Sequence, residues 1–180
     1  MCVQKLFNKR IENFKKLNEI SSDVELMVQM IKTAFNNKNK ILLCGNGGSA
    51  SDCNHIAAEF ISRFQKERIS LSAISLASNN SIITAIANDY GFENVFSRQI
   101  EGLGNKNDIL IAISTSGKSK NVIKALEVAK KQGLKTILLT GKNKTNFDVD
   151  LEINAPSEIT CEIQEMHMAL AHVACELVEE

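Results

Sequence analysis

The sequence has no excess of charge of either sign. Over 180 residues its 21 lysines and arginines cancel its 21 aspartates and glutamates. That balance gives no general electrostatic case for nucleic acid or for an anionic membrane surface, so any anion site has to be local. Proline occurs once, at Pro156. With so few linker signals, a single domain over residues 1–180 is expected. Long apolar runs are also missing. None approaches the ~20 residues that span a bilayer. Charged residues interrupt every apolar stretch before Lys40, which leaves no signal-peptide pattern. Cysteine is present as an odd set, Cys2, Cys44, Cys53, Cys161 and Cys175, with no CxxC spacing. That favours reduced thiols in a cytoplasmic protein over a disulfide framework, each thiol acting as a small buried hydrophobe.

What is present is an alternating pattern. Residues 3–20 carry Val3, Leu6, Phe7, Phe14, Leu17 and Ile20 at helical spacing. Ser21-Ser22-Asp23 offers an N-cap with Glu25 near the capping-box position. A second helix is expected over 24–36 through Val24, Met27, Val28, Ile31 and Phe35. Neither helix carries a chemical motif, and residues 1–36 are assigned to packing and oligomer contacts. From Lys40 onward, strand candidates are Ile41–Cys44, Leu71–Leu76, Ile109–Ser114, Thr136–Thr140 and Leu151–Asn154. Helix candidates are Ser51–Gln65, Asn80–Ala87, Glu93–Leu103, Lys120–Gln132 and Ile159–Val178. This alternation predicts an α/β fold, with a five-stranded parallel sheet covered by helices on both faces. Right-handed crossovers place the loops after the strands on one edge, where such sheets bind ligands.

Two of those loops stand out. Cys44-Gly45-Asn46-Gly47-Gly48-Ser49-Ala50 leads from the first strand into a helix. Glycine-dense turns of this kind present backbone N–H groups to an anion. Gly45-x-Gly47-x-x-Ala50 also fits the dinucleotide fingerprint literally. The next strand, however, ends Ser75-Leu76-Ala77-Ser78-Asn79-Asn80, without the acidic residue or arginine that such a cofactor needs. The second loop, Ser114-Thr115-Ser116-Gly117-Lys118-Ser119, supplies hydroxyl donors at a helix N-terminus and lacks the triphosphate-binding G-x-x-x-x-G-K-[ST] pattern. It suits one phosphate monoester.

Behind the first loop lie His55 and Glu59. The i, i+4 spacing puts them about 40° apart on one helix face. That serves two ligands of one metal, an acid and a base on one substrate, or a surface hydrogen bond. The last helix carries Gln164, His167 and His172. Gln164 and His172 lie about 80° apart around the axis, whereas His167 points about 140° away from His172. The two histidines therefore do not serve one centre, and spacing alone does not say which is functional.

Taken in order, CGNGGSASDCNH…E, ANDYGFENVFSRQ, ISTSGKS and IQEMH…H resemble the phosphoheptose isomerases of the sugar isomerase (SIS) fold family, over nearly the whole chain. The resemblance implies a three-layer α/β/α sandwich and the interconversion of D-sedoheptulose 7-phosphate and D-glycero-D-manno-heptose 7-phosphate. That reaction leads to nucleotide-activated heptose for lipopolysaccharide core or capsule. It implies one zinc per subunit, with His55, Glu59, Gln164 and His172 as ligands. It places Asn46, Gly47, Gly48 and Ser49 as substrate contacts. Ser114, Thr115, Ser116 and Ser119 become the phosphate cradle, and Asn88, Asp89 and Arg63 reach the sugar. Glu59 and His172 would be the proton-transfer pair, with Asp89 assisting. A homotetramer with sites at subunit boundaries is implied as well. The same fold includes a non-enzymatic tetramer that binds the replication initiator protein. That branch lacks the second glycine of GNGGS, the helix glutamate and the final histidine, and here Gly48, Glu59 and His172 are all present.

Overall fold

Apolar runs too short for helices become strands in the computed structural model. It describes residues 2–180, so the first residue of the expected 1–180 unit lies outside it. The strands are β1 (Ile41–Gly45), β2 (Ala73–Ser75), β3 (Ile109–Ile113), β4 (Lys135–Thr140) and β5 (Leu151–Asn154). The helices are α1 (Val3–Lys15), α2 (Ser21–Asn36), α3 (Gly48–Ile61), α4 (Asn80–Tyr90), α5 (Ser97–Leu103), α6 (Lys120–Lys131) and α7 (Thr160–Val178). All strand pairs are parallel, in the order β2-β1-β3-β4-β5.

Every residue of β1 and β3 is buried, because both faces of the sheet are covered. Alternate side chains divide into two cores. Ile41, Leu43, Ile109, Ile111, Ile137 and Leu139 meet α2, α3 and α7 through residues such as Met27, Ile31, Phe60 and Leu170. On the other face, Leu42, Cys44, Leu110, Ala112 and Leu138 meet α5 and α6 through Ile100, Val122, Ala125 and Leu126. This is the expected α/β/α sandwich. The buried cysteines 44, 53 and 175 pack in these cores, and all five thiols are free. Burial pushes the Cys44 and Cys175 thiols up to about 12.

Several boundaries differ from the sequence expectation. Ser21-Ser22-Asp23 is not a cap, since α2 begins at Ser21 after a 3-10 turn over Lys16–Ile20 with no side-chain cap bond. The second strand is shorter than Leu71–Leu76 because the Leu71 N–H bonds to the Phe60 carbonyl outside the sheet. The segment expected as a helix over Glu93–Leu103 splits into a 3-10 turn, Phe92–Asn94, and α5, following Gly91 at φ 89°. α3 starts three residues earlier than Ser51 and stops at Ile61 rather than Gln65.

α1 docks on the first turn of α7 through one buried carboxylate. Glu162 takes Lys9 at 2.6 Å, the Asn13 amide at 2.8 Å and the Ser157 hydroxyl at 2.7 Å. The Lys9 hydrogen bond foremost, with Ser157 and Asn13 overcoming burial, holds the Glu162 carboxyl down at about 2.

Candidate active site

β1 lies between β2 and β3: the first crossover runs from β1 out to β2, and the next returns past β1 to β3, so the strand order reverses here. The crevice at this switch point, beyond the strand ends, is where open α/β sheets bind ligands. Gly45 pairs in register with Ile113. The glycine loop and the serine loop are therefore neighbours in space, although about 70 residues separate them in sequence.

A cavity of about 290 Å³ sits between them. Asn46, Gly47, Gly48 and Ser49 form one side, and Ser114, Thr115 and Ser119 the other. Thr160 and Gln164, from the start of α7, close it. Gly47 adopts φ 56°, ψ −124°, which a side chain would strain. At Gly48 an added Cβ would run into the Gln164 side-chain amide, so the glycine lets α7 approach the loop. The Ser114 and Ser119 hydroxyls lie 3.3 Å apart. Ser119 precedes α6 without capping it through its side chain, so the first N–H groups of α6 face the cavity end of the helix.

Two residues here carried no motif. Asn121 is buried and exchanges two hydrogen bonds with Asn46, at 2.8 and 2.9 Å. This amide pair ties the two loops together. Thr160 is the first residue of α7 and lines the cavity. Neither had a local signal, since each acts on a loop distant in sequence.

α3 and α7 run side by side in the same direction. Gly48 meets Gln164, His55 meets His172, and residues 64–66 meet Glu179. This alignment gathers three of the sequence candidates. His55 Nε2 lies 3.1 Å from His172 Nε2 and 3.2 Å from Glu59 Oε1. Two ligands of a tetrahedral zinc, each ~2.0–2.1 Å from the ion, sit about 3.3 Å apart, so both spacings fit a shared cation. Among the described residues no group of three or more His, Cys, Asp or Glu side chains is placed to hold a metal ion; the atoms gathered here are two pairs that share His55 Nε2. Gln164 stands two turns earlier on α7, on the cavity side. Asp52, one turn before His55, has its carboxyl raised by burial, with His55 opposing that shift.

His167 is elsewhere. It is fully buried and its Nε2–H donates to the Thr140 carbonyl at 3.0 Å. Burial lowers its pKa to about 4, so it is a neutral packing residue.

Residues 6–141 match the SIS domain family. The phosphoheptose isomerase of Helicobacter pylori strain P12 is 49% identical over 98% of this chain and 94% of its own length. The chain belongs to the phosphoheptose isomerase family. The phosphoheptose isomerase of a Nitratiruptor species is 56% identical over 82% of this chain and 80% of its own length. The solved phosphoheptose isomerase from Neisseria gonorrhoeae superposes with a TM-score of 0.92 at 36% identity, covering 98% of this chain and 96% of that one.

Four of the family-derived candidates join neither the cavity of this phosphoheptose isomerase homologue nor the group around His55. Ser116 is exposed and its Oγ accepts the Lys118 N–H at 3.2 Å. Arg63 was expected one turn beyond Glu59 on the same helix, but α3 has already ended, and Arg63 points to Glu67 at 3.7 Å and the Gln65 carbonyl. Asn88 and Asp89 pair with each other at 2.8 Å on the exposed end of α4.

Proposed function

We propose that this protein interconverts D-sedoheptulose 7-phosphate and D-glycero-D-manno-heptose 7-phosphate. The observation that carries this reading is the pairing of a cavity of about 290 Å³, lined by serine and threonine hydroxyls at the switch point, with the His55, Glu59 and His172 group further along the same two helices. A phosphate in the cavity meets hydroxyls of Ser49, Ser114, Thr115 and Ser119 and the N-terminal N–H groups of α6, with no lysine or arginine needed. The carbon chain then lies along α3 and α7, which brings its carbonyl end toward Glu59.

In that position Glu59 takes the proton from C1 of the ketose and returns it to C2. His172 moves the hydroxyl proton between the two oxygens. A carboxylate and an imidazole that both touch His55 Nε2, at 3.2 and 3.1 Å, are gathered at one place for this exchange. His55, Glu59 and His172, with the Gln164 amide as a fourth donor from the cavity side, would hold a zinc ion. Bound there, zinc supplies Lewis-acid stabilisation of the negative charge that develops on the enediolate oxygens.

Asn88, Asp89 and Arg63 reach the sugar in a second copy of the chain under this reading. Two exposed apolar surfaces support self-association. One is on α1 (Val3, Leu6, Phe7, Ile11 and Phe14), and the other surrounds α4 (Ile82, Tyr90 and Phe92). We infer a homotetramer built from single-domain subunits, acting in the cytoplasm on the route to lipopolysaccharide core or capsule. No helix among the described residues is long and apolar enough to cross a membrane.

The test is incubation of the purified protein with sedoheptulose 7-phosphate, following the aldose by NMR with and without added zinc. Aldose formation is expected. Its absence under both conditions would overturn the assignment in favour of the binding-protein branch of the fold.

A further inference from the structure

α3 ends two residues after Glu59, and the chain then runs through an irregular segment, residues 62–72, before β2. Its anchoring converges on one ion pair. Arg68 donates through Nη2 to the Glu59 carbonyl at 2.8 Å and through Nη1 to the Phe60 carbonyl at 2.9 Å. It also reaches the carbonyls of Ser62 and Ile69, at 3.3 and 3.0 Å. These include the last carbonyls of α3, which have no partner within the helix, and a cation there also meets the negative end of the helix dipole. The Arg68 Nε donates to Glu179 Oε1 at 3.1 Å. Glu179, just past α7, accepts the backbone N–H groups of Phe64, Gln65 and Lys66 at 2.7, 2.8 and 2.8 Å. The two side chains are 14% and 2% exposed.

Both arms of this clamp end on proposed reacting groups. One arm holds the Glu59 main chain directly. The other fixes Phe64, whose ring packs on His172 with centroids 5.4 Å apart. Neither Arg68 nor Glu179 lines the phosphate cavity. Glu59 is eleven residues beyond Gly48, about 16 Å along the helix. The clamp therefore acts at the chemical end of the site and not at the phosphate end.

We propose that Arg68 and Glu179 are positioning residues that set Glu59 and His172 in register with each other, a role that rests on the proton-transfer roles proposed above for those two residues. A misplacement of about 1 Å at a reacting group costs on the order of 100-fold in rate. A mere stabilising pair would act on both ends of the site or on folding alone. Lysine at 68 keeps the charge but not the planar fork that spans several carbonyls.

The experiment compares wild type with Arg68→Gln, Arg68→Lys, Glu179→Gln and Phe64→Leu. It reads kcat and KM for sedoheptulose 7-phosphate, the Kd for orthophosphate, and the His172 imidazole proton resonances of metal-free protein. Arg68→Gln is expected to lower kcat about 10- to 100-fold with KM and the orthophosphate Kd within about twofold. The His172 resonances should move as the Phe64 ring shifts. Arg68→Lys should recover part of kcat, and Phe64→Leu should lower kcat alone. If Arg68→Gln does not fold, Arg68→Lys and Phe64→Leu carry the comparison. Folded variants with unchanged kcat, or with KM and orthophosphate Kd changed as much as kcat, would overturn the positioning role. A wild type without isomerase activity would instead overturn the proposed function.

Discussion

His167 makes the stability of this protein depend on pH in a window of its own. It is fully buried, and burial lowers its pKa to about 4 against an ordinary 6.5, with the hydrogen bond to Thr140 only partly offsetting that. The unfolded chain therefore binds a proton below pH 6.5 that the folded chain refuses until near pH 4. Stability from this group is complete above pH 6.5 and is lost as pH falls toward 4. From pH 8 to pH 5 the loss is about 2 kcal/mol, from the ratio of the two protonation equilibria. His167→Gln supplies the reference, because glutamine keeps an N–H for the Thr140 carbonyl and cannot charge. Urea unfolding of metal-stripped wild type and variant, at pH 8 and pH 5, isolates the term. The stability difference between the two proteins should shift by about 2 kcal/mol in favour of the variant at pH 5. A difference that stays constant to within about 0.5 kcal/mol would refute the buried neutral imidazole. So would an NMR titration of His167 centred near pH 6.5.

Three further outcomes are expected. Glu59→Gln should lower kcat about 100- to 10,000-fold and abolish solvent exchange of the C1 proton of sedoheptulose 7-phosphate; retained exchange would remove Glu59 as the base. Gly47→Ala places a side chain at φ 56° and should cost about 1–3 kcal/mol, read by urea denaturation, with a rise in KM. In acid, Glu162 and Glu179 form a second window. Lys9 leads the groups that hold Glu162 at about 2. For Glu179, burial pushes the carboxyl up, but the N–H groups of Lys66, Phe64 and Gln65 with Arg68 outweigh it and hold about 2. Stability from both is present above about pH 4.5 and is lost as pH falls toward 2. Glu162→Gln and Glu179→Gln variants should each flatten the stability profile there, and a profile unchanged by either would contradict the assignment.

The sheet was legible because β1 and β3 are continuous apolar runs flanked by loop-forming residues and alternate with helical segments, a pattern that fits a doubly covered parallel sheet. The cavity was legible because glycine and serine loops follow those two runs. The end of α3 was not. Nothing local stops the helical pattern at Ile61; the terminating carbonyls are taken by Arg68, whose own partner Glu179 lies 111 residues further on. Asn121 was invisible for the same reason, since its amide pairs with Asn46 across 75 residues. Arg63 is affected by the same early end: the helix expected to run to Gln65 stops at Ile61, and Arg63 turns toward Glu67 within the subunit.

The parallel alignment of α3 and α7 makes the site a ruler. In the proposed site the phosphate end is set at Gly48, and the histidine pair at His55 and His172 lies seven residues along α3, or about 10 Å of helical rise. Neither helix can stretch, so the spacing is a fixed length written in turns of backbone. A sugar phosphate with fewer carbons, seated by the same phosphate, should leave its C1 short of Glu59. Such analogues are expected to bind with a similar Kd and turn over poorly, and equal kcat values for five-, six- and seven-carbon ketose phosphates would show that the helices do not measure the chain.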